Sequence, residues 1–140
     1  MTSGASMKRK SIGELRVMCI DDDPFSIDTL TVALGNIGVT DIKSIDNAKS
    51  ALEVIGSQSD GTDVILLDIH MPDVDGIEFI QALGANGYQG AVAVVSGAVD
   101  LILDMSRVLA IGRGITFLGT IKKPAKASEL EALLNKLIVS

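Results

Sequence analysis

Asp21-Asp22-Asp23, Asp68, Ser96 and Lys122-Lys123 are the residues whose types and placement suit phosphoryl chemistry. Each group stands at the end of a short aliphatic run. Carboxylates brought together repel: at about 4 Å and an effective dielectric of ~20, each pair costs roughly 4 kcal/mol. A fold keeps such a cluster only if something neutralises it. An oxygen-rich acidic site suits a hard cation, Mg2+ above all, which binds one or two carboxylates together with a phosphate. Such an ion keeps the aspartates ionised and screens an incoming phosphoryl group, so that a carboxylate can attack it. A small hydroxyl can then hydrogen-bond a phosphoryl oxygen. A lysine ammonium can pair with the transferred charge or, before transfer, with the carboxylate. His70 lies two residues past Asp68 and offers its backbone carbonyl more readily than its imidazole. Asp23 reads as a helix cap, and Asp73 and Asp75 as turn and cap residues. Each residue alone means little. The conjunction, in order and each at a strand end, carries the reading.

The elements that must position these groups alternate along the chain. The aliphatic runs are Leu15–Ile20, Ile42–Ile45, Val64–Leu67, Ala91–Val95, and Ile115–Leu118 with its extension to Ile121. Three are continuous rather than alternating, which predicts strands covered on both faces. Between them lie stripes at helical spacing: Ile27, Leu30, Leu34 and Ile37; Ala48, Ala51, Leu52 and Ile55; Ile77, Ile80 and Leu83. Two more follow: Leu101, Ile102, Met105, Val108 and Leu109; then Leu130, Leu133, Leu134, Leu137 and Ile138. Asp23-Pro24 predicts a capped helix start with proline at its first position. Asp75-Gly76, Asp100 and Ser128 are expected to open later helices, and Gly35, Gly38, Gly56 and Gly84 to close helices or turns. Five β-α units in strict alternation predict a parallel sheet with helices on both faces. Chemistry in such sheets gathers at the carboxyl ends of the strands.

Composition bounds the function. The chain has 140 residues, one compact domain's worth, with 47% hydrophobic and 21% charged residues. Aromatics are 3% and Trp is absent, so the core must be aliphatic. A net charge of −6 argues against direct nucleic-acid binding. Cys19 is the only cysteine and excludes an intrachain disulfide. No apolar stretch is long enough to span a membrane, and the opening MTSGASMKRK lacks the apolar region of a secretory signal. Residues 1–13 read as a flexible tail, residues 14–140 as the domain, and the expected location is cytoplasmic.

The runs Ile20-Asp21-Asp22-Asp23-Pro24, Leu67-Asp68-Ile69-His70-Met71-Pro72-Asp73-Val74-Asp75-Gly76, Val95-Ser96-Gly97 and Lys123-Pro124 resemble the motifs of CheY-like receiver domains of bacterial response regulators. The likeness covers roughly residues 14–138. It implies a flavodoxin-like (βα)5 three-layer sandwich with strand order 2-1-3-4-5. It also implies that Asp68 is the phosphoacceptor and that Asp21, Asp22 and the His70 carbonyl join it in holding Mg2+. Ser96 matches the switch hydroxyl and Lys123 the family's lysine. The implied partners are a sensor histidine kinase or phosphotransfer protein, and an output domain or protein. Two features depart from the pattern. Thr120 stands at a switch position that is usually aromatic, and the stretch from Ser96 to Lys123 is long. Within it, Leu109-Ala110-Ile111-Gly112 and Leu118-Gly119-Thr120-Ile121-Lys122-Lys123-Pro124 are similar to receivers fused to EAL-type cyclic-di-GMP phosphodiesterases. Two other functions fit less well. A phosphohydrolase with an aspartyl nucleophile needs a second acid and a substrate cap, for which 140 residues leave little room. A degenerate receiver used only for protein contacts would not carry the complete acidic set with Ser96 and Lys123.

Overall fold

Aliphatic runs with no polar break need cover on both faces, and the sheet supplies it. The computed structural model describes residues 11–57, 61–68, 76–97 and 114–138. Five strands form one parallel sheet: β1 (Arg16–Ile20), β2 (Asp41–Ile45), β3 (Val64–Leu67), β4 (Ala91–Ser96) and β5 (Thr116–Lys122). Their order is β2-β1-β3-β4-β5, as expected. β3 and β4 are buried at every position, and β1 at every position after Arg16. Of the edge strands, β2 is exposed or half-buried throughout and β5 mixes exposed and buried positions. The three continuous runs are thus the central strands.

Four α-helices lie among the described residues: α1 (Pro24–Asn36), α2 (Ala48–Ser57), α3 (Gly76–Ala85) and α4 (Ala127–Ile138). On one face of the sheet, Leu30 and Leu34 of α1 and Leu130 and Leu134 of α4 pack with Cys19, Leu66 and Val95. On the other, Ala51 and Ile55 of α2 and Phe79, Ile80 and Leu83 of α3 pack with Ile20, Ile65 and Val94. Each fully buried side chain of this size contributes about 1.5–3 kcal/mol, so the two layers fix the sheet from both sides. The helical stripe expected at Leu101–Leu109, with its Asp100 start, lies outside the described residues.

Several boundaries differ from expectation. Ile12–Glu14, which straddle the end of the segment read as a tail, form a 3-10 turn, and Ile12 packs on the core. Glu14 Oε1 accepts from Ser11 N and Oγ at 2.8 and 3.1 Å, which fixes that turn. α4 begins at Ala127, so Ser128 sits within its first turn, and Glu129 reaches back to the Lys126 amide. The left-handed residues after α1 and α3 are Gly38 and Gly87; Gly35, Gly56 and Gly84 lie inside helices. α2 is preceded by a cap the sequence reading passed over, Asn47 Oδ1 accepting from Ser50 N at 2.7 Å.

Candidate functional site

β1 and β3 are neighbours with Ile20 opposite Leu67, so the residues that follow emerge side by side. Asp21 N donates to Ile45 O at 3.1 Å and Asp68 N to Ile20 O at 3.0 Å, carrying the ladder one step past the strands. Asp21 and Asp68 are 1% and 6% exposed. Such depth is unusual for a carboxylate and demands compensation. Asp22 is exposed, yet one carboxylate oxygen from each of Asp21, Asp22 and Asp68 lies within 4.8 Å of the others. Asp23 turns out of the cluster. Its Oδ1 accepts from Phe25 N at 3.2 Å and its Oδ2 from Ser26 Oγ at 3.0 Å, the expected cap of α1.

The compensating charge comes from β5. Lys123 N donates to Ser96 O at 2.8 Å, which ties the end of β5 to the end of β4. Its ammonium lies 2.8 Å from Asp21 Oδ2 and 3.5 Å from Asp68 Oδ2. Burial lowers the Lys123 pKa, but contact with Asp21 and the charges of Asp68 and Asp21 outweigh that and raise it above the usual lysine value. Lys122 is exposed, paired in register with Ser96. Ser96 is buried at the last position of β4. Burial, with a smaller effect of the Asp21 charge, pushes the Cys19 thiol up to about 12, so it stays a neutral core group.

The cluster fits a hard cation. Three carboxylates against one ammonium leave two formal negative charges in one place. The donors are all oxygen, as Mg2+ requires. Asp21 Oδ2 is buried, with the Lys123 ammonium 2.8 Å away and no hydrogen bond from any other group among the described residues. A carboxylate paired with one ammonium still has lone pairs to offer a metal.

The structure therefore brings together Asp21, Asp22, Asp68 and Lys123, with Ser96 at the adjoining strand end. Thr120 is exposed on β5, in register with Val94 and so on the same sheet face as Ser96. His70, Asp73 and Asp75 lie outside the described residues. Sequence reasoning missed an apolar recess of about 330 Å³ beside Lys123, lined by Phe25, Thr29, Leu30, Val95, Pro124 and Ala125. Its one visible signal was Phe25, a rare aromatic directly after the helix-opening proline, and it is 75% exposed. No helix among the described residues is long and apolar enough to cross a membrane.

Known proteins share this fold. Residues 17–135 match the response regulator receiver domain family. The two-component response regulator ARR2 of Arabidopsis thaliana is 28% identical over 122 residues, 78% of this chain and 18% of that protein. ORR22 of Oryza sativa is 28% identical over 107 residues, 67% of this chain and 15% of that protein. The chain thus spans less than a fifth of the length of these relatives. Among solved structures, a chain of the CheX–CheY–BeF3–Mg2+ complex from Borrelia burgdorferi superposes with a TM-score of 0.77 at 19% identity, over 90% of each chain. The N-terminal domain of a response regulator/sensory box/GGDEF protein from Carboxydothermus hydrogenoformans gives 0.71 at 18% identity, over 88% of this chain and 93% of that one. The family match runs from β1 into α4 and takes in the whole acidic rim, and the chain accordingly belongs to the response regulator receiver domain family.

Proposed function

We propose that Asp68 accepts a phosphoryl group from the phosphohistidine of a sensor histidine kinase or a phosphotransfer protein. The observation that carries this reading is a buried carboxylate set among two further acids and an ammonium. An Asp68 oxygen forms the new bond to phosphorus as the phosphorus–nitrogen bond of the donor breaks, and the freed imidazole takes up a proton. Asp21, Asp22, Asp68 and the His70 carbonyl would hold Mg2+, which supplies the positive charge that lets the two anionic groups approach. Lys123 then pairs with the transferred oxygens, and the Ser96 hydroxyl donates to one of them. Water later attacks phosphorus and releases inorganic phosphate, restoring the Asp68 carboxylate. The chain acts as a switch in the cytoplasm and turns over no external substrate.

The output follows from the same groups. A hydrogen bond from Ser96 to the phosphoryl group is worth about 1.5–3 kcal/mol, enough to shift a two-state population. Thr120 has no ring to fill space vacated by that movement, so the signal leaves mainly through the backbone after Ser96. The likeness of Leu118–Pro124 to receivers of EAL-type phosphodiesterases supports a partner that hydrolyses cyclic-di-GMP. Adding the phosphorylated chain to such an enzyme should change its turnover, and an unchanged rate would remove that partner.

The test of the central reading is intact-mass analysis after acetyl phosphate treatment with Mg2+. Wild type should gain one phosphoryl group, and Asp68→Asn none while keeping its fold. A full gain in Asp68→Asn would sink the assignment.

A further inference from the structure

Only Lys123 of the tandem pair Lys122-Lys123 reaches the acids, and strand parity explains why. β5 pairs with β4, and their register shifts once. Phe117 lies opposite Val92, but Gly119 lies opposite Ala93, so Leu118 is an extra residue, a β-bulge. Upstream, Phe117 packs on the α2/α3 side; downstream, Ile121 packs on the α1/α4 side. Without the bulge, Lys122 would take the position after Ser96's partner and the face that Lys123 now holds. The bulge thus decides which of two identical side chains meets Asp21 and Asp68.

Two features hold the bulge. Gly119 has φ of 138°, a conformation that side-chain-bearing residues rarely adopt. Lys136, in the last turn of α4, donates from Nζ to Leu118 O at 2.8 Å, the carbonyl of the extra residue itself. A Cβ on Gly119 would lie 3.2 Å from Leu133 Cδ1 and 3.7 Å from Lys136 Nζ, so α4 closes directly over this point.

We propose that Lys136 is a positioning residue: by holding the Leu118 carbonyl it pins the bulge and so selects Lys123 over Lys122 for the acidic site. Its importance for signalling rests on the phosphoacceptor reading, but the selection itself can be read without any phosphodonor. Lys136 is exposed, so its replacement should leave the fold intact. The experiment is pulsed amine acylation with site-resolved mass spectrometry. In wild type, Lys123 should react about tenfold more slowly than Lys122, as expected for a part-buried ion pair beside an exposed ammonium. Lys136→Met should speed Lys123 and slow Lys122, as the slipped register brings Lys122 to the acids. Lys136→Arg can still donate and should keep the wild-type pattern. Loosening or unfolding of the chain would speed both lysines, so slowing of Lys122 is the decisive result. If Lys122 in Lys136→Met reacts as in wild type or faster, the proposal is overturned. Failure of the phosphoacceptor reading would instead show as wild type that never takes label on Asp68.

Discussion

Asp21 and Asp68 leave β1 and β3 in matched register, from strands buried on both faces. Lys123 leaves β5, an edge strand of mixed burial with a register shift after Phe117. The acids and the lysine nevertheless meet at 2.8 and 3.5 Å. The acidic half is placed by core packing, which cannot shift without losing contacts on both sheet faces. The basic half is placed by a bulge and by α4, which can shift at smaller cost. Under the proposed function, a site that holds a constant metal pocket and also responds to a new charge would gain from such a division. The fixed groups bind, and the adjustable one answers.

The sharpest way to break this contrast is Leu66→Ala in β3. Leu66 is fully buried beneath Asp68, and the change should cost about 2–5 kcal/mol in urea unfolding. A loss below about 1 kcal/mol would mean that the central strands are not what fixes the acids. Next in size is Asp22→Ala. Mg2+ at a hundredfold excess over Kd should stabilise wild type by about 2.7 kcal/mol, and the variant should lose that gain. Equal Mg2+ stabilisation of both proteins would refute a site at Asp22. Gly119→Ala should cost about 1–3 kcal/mol through backbone strain and the Leu133 contact, while leaving the Mg2+ response in place. Loss of the Mg2+ response in that variant would show the two halves to be one unit.

The far end of the sheet provides a control for burial without charge. Tyr88 is buried and its hydroxyl donates to Ala91 O at 2.7 Å. Burial, then the Asp63 charge, raise its pKa. The folded pKa therefore lies above the unfolded value. The Tyr88 contribution is complete below about pH 10 and is lost as pH rises further, because only the unfolded chain can ionise. Tyr88→Phe should be about 1 kcal/mol less stable at neutral pH, with the gap closing in alkali. A gap that stays constant to high pH would contradict this account of the burial.

The same division decides what could be read from the sequence. Strands covered on both faces are continuous aliphatic text, so β1, β3 and β4, with the acids that follow the first two and Ser96 at the end of the third, were legible. Asp23-Pro24 declared the start of α1 because a cap and a first-position proline act within a few residues. The bulge was not legible. Ile115–Leu118 and its extension to Ile121 showed a seam, but a glycine there reads equally as a turn, a weak strand or a bulge. One of the two groups that hold it is Lys136, seventeen residues downstream of Gly119 and near only in the folded chain. The choice of Asp21 over Asp68 as the closer partner of Lys123 is likewise set by side-chain geometry across three strands. Ser128 and Gly84 were displaced by one and three residues from the observed helix start and left-handed glycine, since several nearby residues suit those ends equally.

The central claim is that Asp68, and no other acid of the rim, forms the phosphoryl bond. Borohydride reduction of the labelled protein converts an acyl phosphate to an alcohol and so marks the acceptor permanently. Peptide sequencing by mass spectrometry then locates it. Homoserine at position 68 alone is the predicted result. Homoserine at position 21 or 22, or label that survives without any acyl phosphate, would contradict the account.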